Sequence, residues 1–216
     1  QELSSIHSDE VKVKELGLEN HLNYDWYRRA SLADHFLGED TSYDDFYPVK
    51  FKEQGDFVLG AYTPSVKAGK LELSRTGIVW IGDMPAKTEV KKTVIPLKKE
   101  GYRAEYKIKN LEDKTLEFTF AAEHVFAFSQ KTIDDSAQLN GATVWKRPDE
   151  NFGMAVSVSS SKKCGFWAVP IETVSTSENG YEKTYQGTAL LNVYKFSLKA
   201  HEEFSFSLTV SAGEIK

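Results

Sequence analysis

The stretch "YDWYRRASLADHFLGED", from Tyr24 to Asp40, concentrates residue types that could carry chemistry. It holds two adjacent arginines, an Asp-His pair and several aromatic residues. The same types can also lock a crossing segment of chain in place, because charged side chains form strong charge-assisted hydrogen bonds. The stretch is therefore either a reactive site or a structural joint beside chemistry that lies elsewhere, and we favour the joint.

The local pattern of this stretch predicts a short helix. Ser31 is a good N-cap, and Asp34 three positions later fits a capping box. The apolar stripe and the glycine stop that complete the pattern are Leu32, Ala33, Phe36, Leu37 and Gly38. We expect a helix of about two turns, with His35 beside its stripe, inside a lead-in segment of residues 1–42.

Glu123 and His124 form a second candidate pair, in "AAEHVFAF". Some sugar epimerases use a His and a Glu that project from the face of a β-sandwich. Adjacent residues of a strand, however, point to opposite faces of the sheet. The sequence therefore predicts that these two side chains do not form one acid–base pair.

Other reaction types lack a matching pattern. The five histidines show no His-x-His or His-x-x-x-His spacing, and Cys164 is the single cysteine, which argues against zinc. We find no Gly-rich phosphate loop and no nucleophile elbow. The acidic run from Gly38 to Asp45 lacks the ordered spacing of a calcium loop, so we interpret it as a solvated loop. We expect no metal and no cofactor in this chain.

The four tryptophans are candidates for stacking on a sugar. Trp80 and Trp167 lie in apolar strand-like runs, which favours core packing. Trp145 lies in "GATVWKRPDENFG", beside a polar, proline-containing loop. Trp145 is therefore the predicted exposed aromatic and the candidate carbohydrate contact.

The composition limits partners and compartment. The net charge of −5 argues against a nucleic-acid surface, which would need clustered Lys and Arg. With one cysteine no internal disulfide can form, so a reducing, cytoplasmic location is the simplest expectation. The sequence shows neither a signal peptide nor a membrane span, so we expect no membrane partner.

From Tyr43 onward the pattern changes from helix to strand. In "YRAEYKIK", Tyr102, Ala104, Tyr106 and Ile108 alternate with charged residues, and turn-forming stretches such as "NLEDK" and "SENG" separate the runs. Strand-like runs recur about every 8–12 residues, which is typical of a sandwich or barrel. We predict an all-β fold with a single β-sandwich domain over residues 1–216. Because the chain starts at Gln1, we expect a fragment of a longer chain, a processed product or a trimmed one.

Several of these stretches together resemble one known family. "YDWYRRASLADHFLGED", "GDFVLGAY" and "YEKTYQGTALLNVYKFSL" are similar to the C-terminal β-sandwich of the α-amylase/4-α-glucanotransferase enzymes of glycoside hydrolase family 57. The family-like string is carried by Tyr24, Asp25, Arg29, Ser31, Asp34, His35 and Phe36. The resemblance covers most of the chain.

The resemblance implies a large antiparallel sandwich, similar to galactose mutarotase, behind a barrel that carries the catalytic carboxylates for α-1,4-glucan. The sequence shows no βαβ alternation, so none of those catalytic positions is matched here. We therefore expect a non-catalytic accessory domain whose partner is the catalytic barrel, with α-glucan as a further partner.

Two alternatives remain open. A carbohydrate-binding module would show a coplanar pair of exposed aromatic rings. A free-standing mutarotase-like epimerase would show a His and a carboxylate that converge in a concave, polar pocket. An accessory domain would show neither, but would leave a bare apolar or mixed patch where the barrel packs.

Overall fold

The computed structural model describes residues 25–177 and 180–215. Strands dominate, and they are long because alternating apolar and polar residues suit a sheet with one face turned to a core. The strands are β1 Ala33–Leu37, β2 Thr63–Lys67, β3 Lys70–Ile81, β4 Met84–Pro96, β5 Gly101–Asn110, β6 Leu116–Phe126, β7 Ala137–Asp149, β8 Met154–Ser177, β9 Gly180–Leu198 and β10 Glu203–Glu214. A short helix, α1 (Tyr43–Phe46), and a 3-10 helix, η1 (Ile133–Ser136), complete the described elements.

All ten strands belong to one antiparallel sheet. Its order is β1-β6-β9-β8-β10-β5-β4-β3-β2, and β7 pairs with β8 beside this path. A short segment, residues 52–56, joins β1, at one end of the path, to β3, the strand next to the other end. Gln54 N–H donates to Phe36 O of β1 (2.7 Å), and Trp80 N–H of β3 donates to Gln54 O (2.8 Å). The sheet therefore curls around an interior, and residues 52–56, named here the closing segment, bridge β1 and β3.

The two faces of the sheet pack against different partners. The interior face holds the larger core, which includes Phe36, Phe120, Phe166 and Leu208. A second core lies on the outer face of β6, β8 and β9. There, residues that precede and follow β1 in the chain pack on residues of these three strands. Its members include Tyr27, Phe46, Phe51, Trp167, Val169 and Leu191. The chain just before β1 and the chain between β1 and the closing segment, named here the covering chain, thus cover the outside of the sheet.

The predicted helix beginning at Ser31 is wrong, because these residues form β1 instead. β1 runs antiparallel to β6, with Ala33 opposite Glu123 and Leu37 opposite Thr119. Ser31 does not cap a helix; its hydroxyl accepts from Val125 N–H (3.0 Å). Both faces of β1 are covered, so apolar residues fall on both sides of the strand and imitate a helical stripe.

The helix that does form lies further along the chain, with Ser42 and not Ser31 as its N-cap. Ser42 caps α1, and the Asp45 side chain accepts from Ser42 N–H in a capping box. Part of the acidic run from Gly38 to Asp45 therefore serves as a helix cap. Within the described ranges no helix is long and apolar enough to cross a bilayer.

Candidate functional site

The residues singled out by the sequence lie on β1 and on the chain just before it. His35 projects from the outer face of β1 and is fully buried. Its Nδ1 lies 2.7 Å from Glu53 Oε2 of the closing segment, and its Nε2 lies 3.2 Å from Glu123 Oε2 of β6. One imidazole therefore connects three separate pieces of chain.

Arg29 and Tyr27 complete this outer cluster. Arg29 donates from Nη1 to Glu123 Oε1 (3.2 Å) and from Nε to Asp25 Oδ1 (2.9 Å). Tyr27 donates from its hydroxyl to the same Glu123 Oε1 (3.3 Å). We name Tyr27, Arg29, His35, Glu53 and Glu123 the outer joint, since together they fix the covering chain to the sheet.

The charges of the outer joint balance. Burial lowers the pKa of His35, but the hydrogen bonds to Glu123 and Glu53 outweigh burial and raise this pKa to about 9. His35 is therefore protonated at neutral pH. Burial also lowers the pKa of Arg29, yet its acidic neighbours raise it above the usual value. Two cations thus face the carboxylates of Glu53 and Glu123.

Asp34, the chain neighbour of His35, points to the opposite face. Its Oδ2 accepts from Lys92 Nζ of β4 (2.7 Å) and from the hydroxyl of Tyr62. Lys92 Nζ also donates to Leu32 O (2.6 Å) and lies 4.3 Å from the centroid of the Tyr62 ring. We name Asp34 and Lys92 the inner pair; it ties β1 to the far wall of the curled sheet.

Of the remaining predicted site residues, one packs in the core and one forms an ion pair at the surface. Phe36 is 1 % exposed and packs inside the sheet against Phe57, Phe118 and Phe120. Asp25 is exposed and pairs with Arg29. Tyr24 lies outside the described residues. Of the string that the sequence singled out, Asp34, His35 and Phe36 thus lie on the two faces of β1, whereas Asp25, Arg29 and Ser31 lie on the chain before it.

Glu123 and His124 lie on opposite faces of β6, as the sequence predicted. Glu123 belongs to the outer joint, whereas His124 Nδ1 lies 2.9 Å from the Tyr102 hydroxyl inside the sheet. Burial and the nearby Lys92 lower the pKa of His124 to about 3, so the ring is neutral. These two residues do not act as one acid–base pair.

Trp145 is not exposed, so that expectation is wrong. Its side chain is 3 % exposed and stacks on Phe126, with ring centroids 6.1 Å apart. β7 turns this residue toward the interior, together with Arg147. Trp167 is buried as expected, whereas Trp80 is 43 % exposed and contradicts the core expectation.

Sequence reasoning missed the partners that come from distant parts of the chain. Glu53 and Lys92 carry no local motif, because an isolated Glu or Lys in a polar run looks like a surface residue. A second missed ion pair joins Arg147 Nη2 to Asp135 Oδ2 (2.8 Å), and both residues are fully buried. Buried charges are nearly always paired, but the sequence does not show which ones will be buried.

The central residues of the outer joint and the inner pair are shielded from solvent. His35, Glu123 and Asp34 are at most 1 % exposed, and both the Glu123 carboxylate and Asp34 Oδ2 contact protein donors. Within residues 25–177 and 180–215, no group of three or more His, Cys, Asp or Glu is placed to hold a metal ion. What the arrangement can do chemically is bind one part of the chain to another.

The curled antiparallel sheet defines the chain as a mutarotase-like β-sandwich, and the predicted fold class is confirmed. A protein from Escherichia coli K12, provisionally named an aldose 1-epimerase, matches 88% of this chain with a TM-score of 0.56. Its sequence is only 10% identical, so this likeness concerns the fold alone.

The narrower assignment comes from the family comparison. The family described as alpha-amylase/4-alpha-glucanotransferase, C-terminal, matches residues 1–208, and the chain belongs to this family. The predicted resemblance to α-amylase/4-α-glucanotransferase enzymes is confirmed.

Relatives of known name agree with this assignment. An alpha-amylase from Pyrococcus horikoshii is 32% identical over 82% of this chain, which is 26% of the relative. A 4-alpha-glucanotransferase from Thermococcus litoralis is 28% identical over 95% of this chain and 30% of its own length. The crystal structure of the Thermococcus litoralis 4-alpha-glucanotransferase gives a TM-score of 0.79 at 26% identity, over 90% of this chain and 29% of that one. The chain therefore spans less than a third of the length of these relatives.

Proposed function

We propose that the chain is the non-catalytic C-terminal accessory domain of an α-1,4-glucan-processing enzyme of glycoside hydrolase family 57. The domain supports the catalytic barrel of that enzyme, and the outer joint and inner pair keep the domain rigid. The single observation that carries the proposal is the family match over residues 1–208 combined with coverage of only 26% to 30% of the named relatives.

The geometry of the charged clusters supports a structural role. A glycosidase positions two carboxyl groups across an open cleft, about 5–9.5 Å apart. Here Glu53 and Glu123 are occupied by His35 and Arg29 and are shielded from solvent. Carboxylates held this way cannot reach a glycosidic bond.

The free-standing epimerase receives no support from the contacts. An epimerase needs a His and a carboxylate facing one open pocket, whereas His35 is sealed between two carboxylates and His124 faces the Tyr102 hydroxyl in the core. The likeness to the Escherichia coli protein concerns the fold and does not supply such a pocket.

A carbohydrate-binding module also fits less well. The exposed large aromatic residues of the described chain are Trp26, Trp80 and Phe152. These three residues come from separate parts of the chain, namely the segment before β1, β3 and the β7–β8 turn, and Trp26 packs on Tyr27 and Phe51. The contacts of these rings therefore give no support to a glucan platform.

Catalytic assays test the accessory-domain proposal. The isolated chain should leave maltoheptaose unchanged, with no new oligomer lengths above a boiled control. It should also leave the rate of anomer interconversion of glucose, followed by polarimetry, at the buffer value. Turnover of maltoheptaose would overturn the accessory role, and faster interconversion would establish the epimerase instead.

The cellular compartment forms part of the same proposal. Cys164 is buried and free, and a fold that does not depend on a disulfide suits the reducing cytoplasm. Fractionation of the native cells with an antibody against this domain should place the protein in the cytoplasmic fraction; recovery in the culture medium would contradict this.

A further inference from the structure

The long hairpin of β8 and β9 extends beyond its neighbouring strands. β7 pairs with β8 only as far as Ala168, and β6 pairs with β9 only as far as Thr188. Beyond these points β8 and β9 pair only with each other, from Glu172 opposite Tyr185 to Ser177 opposite Gly180. We name the two-stranded part, residues 172–177 and 180–186, the arm.

Both edges of the arm are open within the described part of the chain. An open edge presents unpaired backbone N–H and C=O groups, and proteins usually cover or block such edges. A two-stranded hairpin alone is also only marginally stable in water. An arm that persists in this form therefore calls for a partner that covers it.

The base of the arm is fixed in place. Glu172 accepts from Lys131 Nζ (2.8 Å) and from the Tyr47 hydroxyl (3.2 Å), and it pairs with Lys183 Nζ across the hairpin (3.2 Å). Burial raises the pKa of Glu172, but the two lysines outweigh burial and hold it below its usual value. The arm therefore leaves the sheet in a defined direction.

A groove lies at the same base. Its walls are Tyr47 and Val49 from the covering chain and Ile171 and Lys183 from the hairpin, and it reaches Asp25. The groove mixes charged and apolar side chains, which is the kind of patch expected where a neighbouring domain packs. Trp26, beside Asp25, adds an aromatic ring that is 44 % exposed.

We propose that the arm and this groove form the docking surface for the catalytic part of the enzyme chain, an inference that rests on the proposed function. The named relatives carry more than two thirds of their length outside the matched region, and the matched family is by description C-terminal. The rest of the polypeptide therefore precedes this domain in the chain, and residues 1–24, which belong to the matched region, connect it to Asp25 at the groove. A second copy of this chain could also cover the open edges, but it would not account for the groove at Asp25.

Hydrogen exchange tests the docking surface. Backbone amides of the arm are measured in this chain alone and in the longer parent enzyme. Docking should slow exchange at Thr173, Val174, Lys183 and Thr184 at least tenfold in the parent. The β2–β3 hairpin, which also ends in a two-stranded turn, is the internal control and should exchange equally in both. Equal exchange of the arm in both proteins would overturn the proposal.

A matched pair of variants sharpens the test. Thr184 on the arm and Thr76 on β3 are both exposed strand residues, so Thr184→Arg and Thr76→Arg add the same bulk and charge in two places. In the parent, Thr184→Arg should return the arm to the fast exchange of the isolated chain, whereas Thr76→Arg should not. Both variants should melt within about 2 °C of the wild-type isolated domain, since surface changes cost little.

Two further readouts separate the possible failures. Sedimentation of the isolated chain should show a monomer, and a dimer abolished by Thr184→Arg would assign the arm to a second copy instead. If the parent converts maltoheptaose and the isolated chain does not, while the arm exchanges alike in both, the accessory role stands and the docking surface is refuted. If the isolated chain itself turns over maltoheptaose, the proposed function fails first.

Discussion

The inner pair and the outer joint contain adjacent residues, Asp34 and His35, yet the two clusters differ in how many partners each charged group has. The inner pair is one carboxylate and one ammonium, Asp34 and Lys92, with few other partners. The outer joint is a network in which Glu123 alone contacts Tyr27, Arg29 and His35. Deleting one member of a two-membered pair strands a buried charge, whereas a network leaves other partners in place. The comparison teaches that the number of remaining partners sets the cost of a substitution.

The largest effect is expected at the inner pair. Asp34→Ala leaves the buried ammonium of Lys92 without its carboxylate, which should cost about 3–5 kcal/mol of unfolding free energy. For a domain of this size this lowers Tm by roughly 10 °C. Thermal unfolding by circular dichroism measures it.

The control for this effect is Asp25→Ala, which removes a more exposed carboxylate and should change Tm little. The double variant Asp34→Ala/Lys92→Met should recover most of the loss, because it removes both charges. A double variant as unstable as Asp34→Ala would show that the stranded charge is not the cause.

The next prediction concerns the pH dependence of stability, which should arise from His35 of the outer joint. His35 has a folded pKa of about 9, above its ordinary value of 6.5. Between these two pH values His35 is protonated in the folded state and neutral in the unfolded state. The stabilisation is fully present below pH 6.5 and is lost as pH rises through about 9. The slope should approach about 1.4 kcal/mol per pH unit, measured as the unfolding free energy in urea between pH 6 and 10.

His35→Gln should flatten this slope, because Glu53 and Glu123, which face His35, then have no cation that titrates between pH 6 and 10; Arg29 stays charged throughout. His201→Gln is the matched control, because His201 is an exposed histidine paired with Asp113. An unchanged slope in His35→Gln would mean that another group binds the proton.

A smaller effect is expected from Arg29→Ala in the outer joint. Glu123 keeps Tyr27 and His35 as donors, so the loss should stay near the value for one hydrogen bond to a charged group, about 1.5–3 kcal/mol. Differential scanning calorimetry should show a drop in Tm of several degrees. The neighbouring exposed Arg28→Ala should leave Tm within about 1 °C of wild type.

The same variant distinguishes a joint from a reactive site. In the parent enzyme Arg29→Ala should lower Tm and leave glucan conversion at moderate temperature largely intact. Normal melting with lost conversion would reverse the structural interpretation of the stretch from Tyr24 to Asp40.

The smallest effect concerns Trp145. Because its ring is 3 % exposed and stacked on Phe126, maltoheptaose should change the tryptophan fluorescence of the isolated chain equally in wild type and Trp145→Phe. A response that disappears only in Trp145→Phe would restore Trp145 as a carbohydrate contact.

The errors of the sequence analysis have specific physical causes. At β1, apolar residues on both faces removed the period-two signal that marks a strand. At Trp145, a neighbouring polar loop suggested exposure, but β7 turns the ring toward the interior. Both errors come from inferring burial from chain neighbours, whereas burial depends on what packs from elsewhere.

The sequence by itself determined the all-β class, the family resemblance and the opposite orientation of Glu123 and His124. These follow from the period of side chains along a strand and from local strings of residues, which are properties of adjacent positions. Only the tertiary structure decided that Glu53 and Lys92 complete the two clusters, that β1 is a strand and that Trp145 is buried. These contacts join residues 18 to 88 positions apart, and the curling of one sheet brings them together, so no local pattern could reveal them.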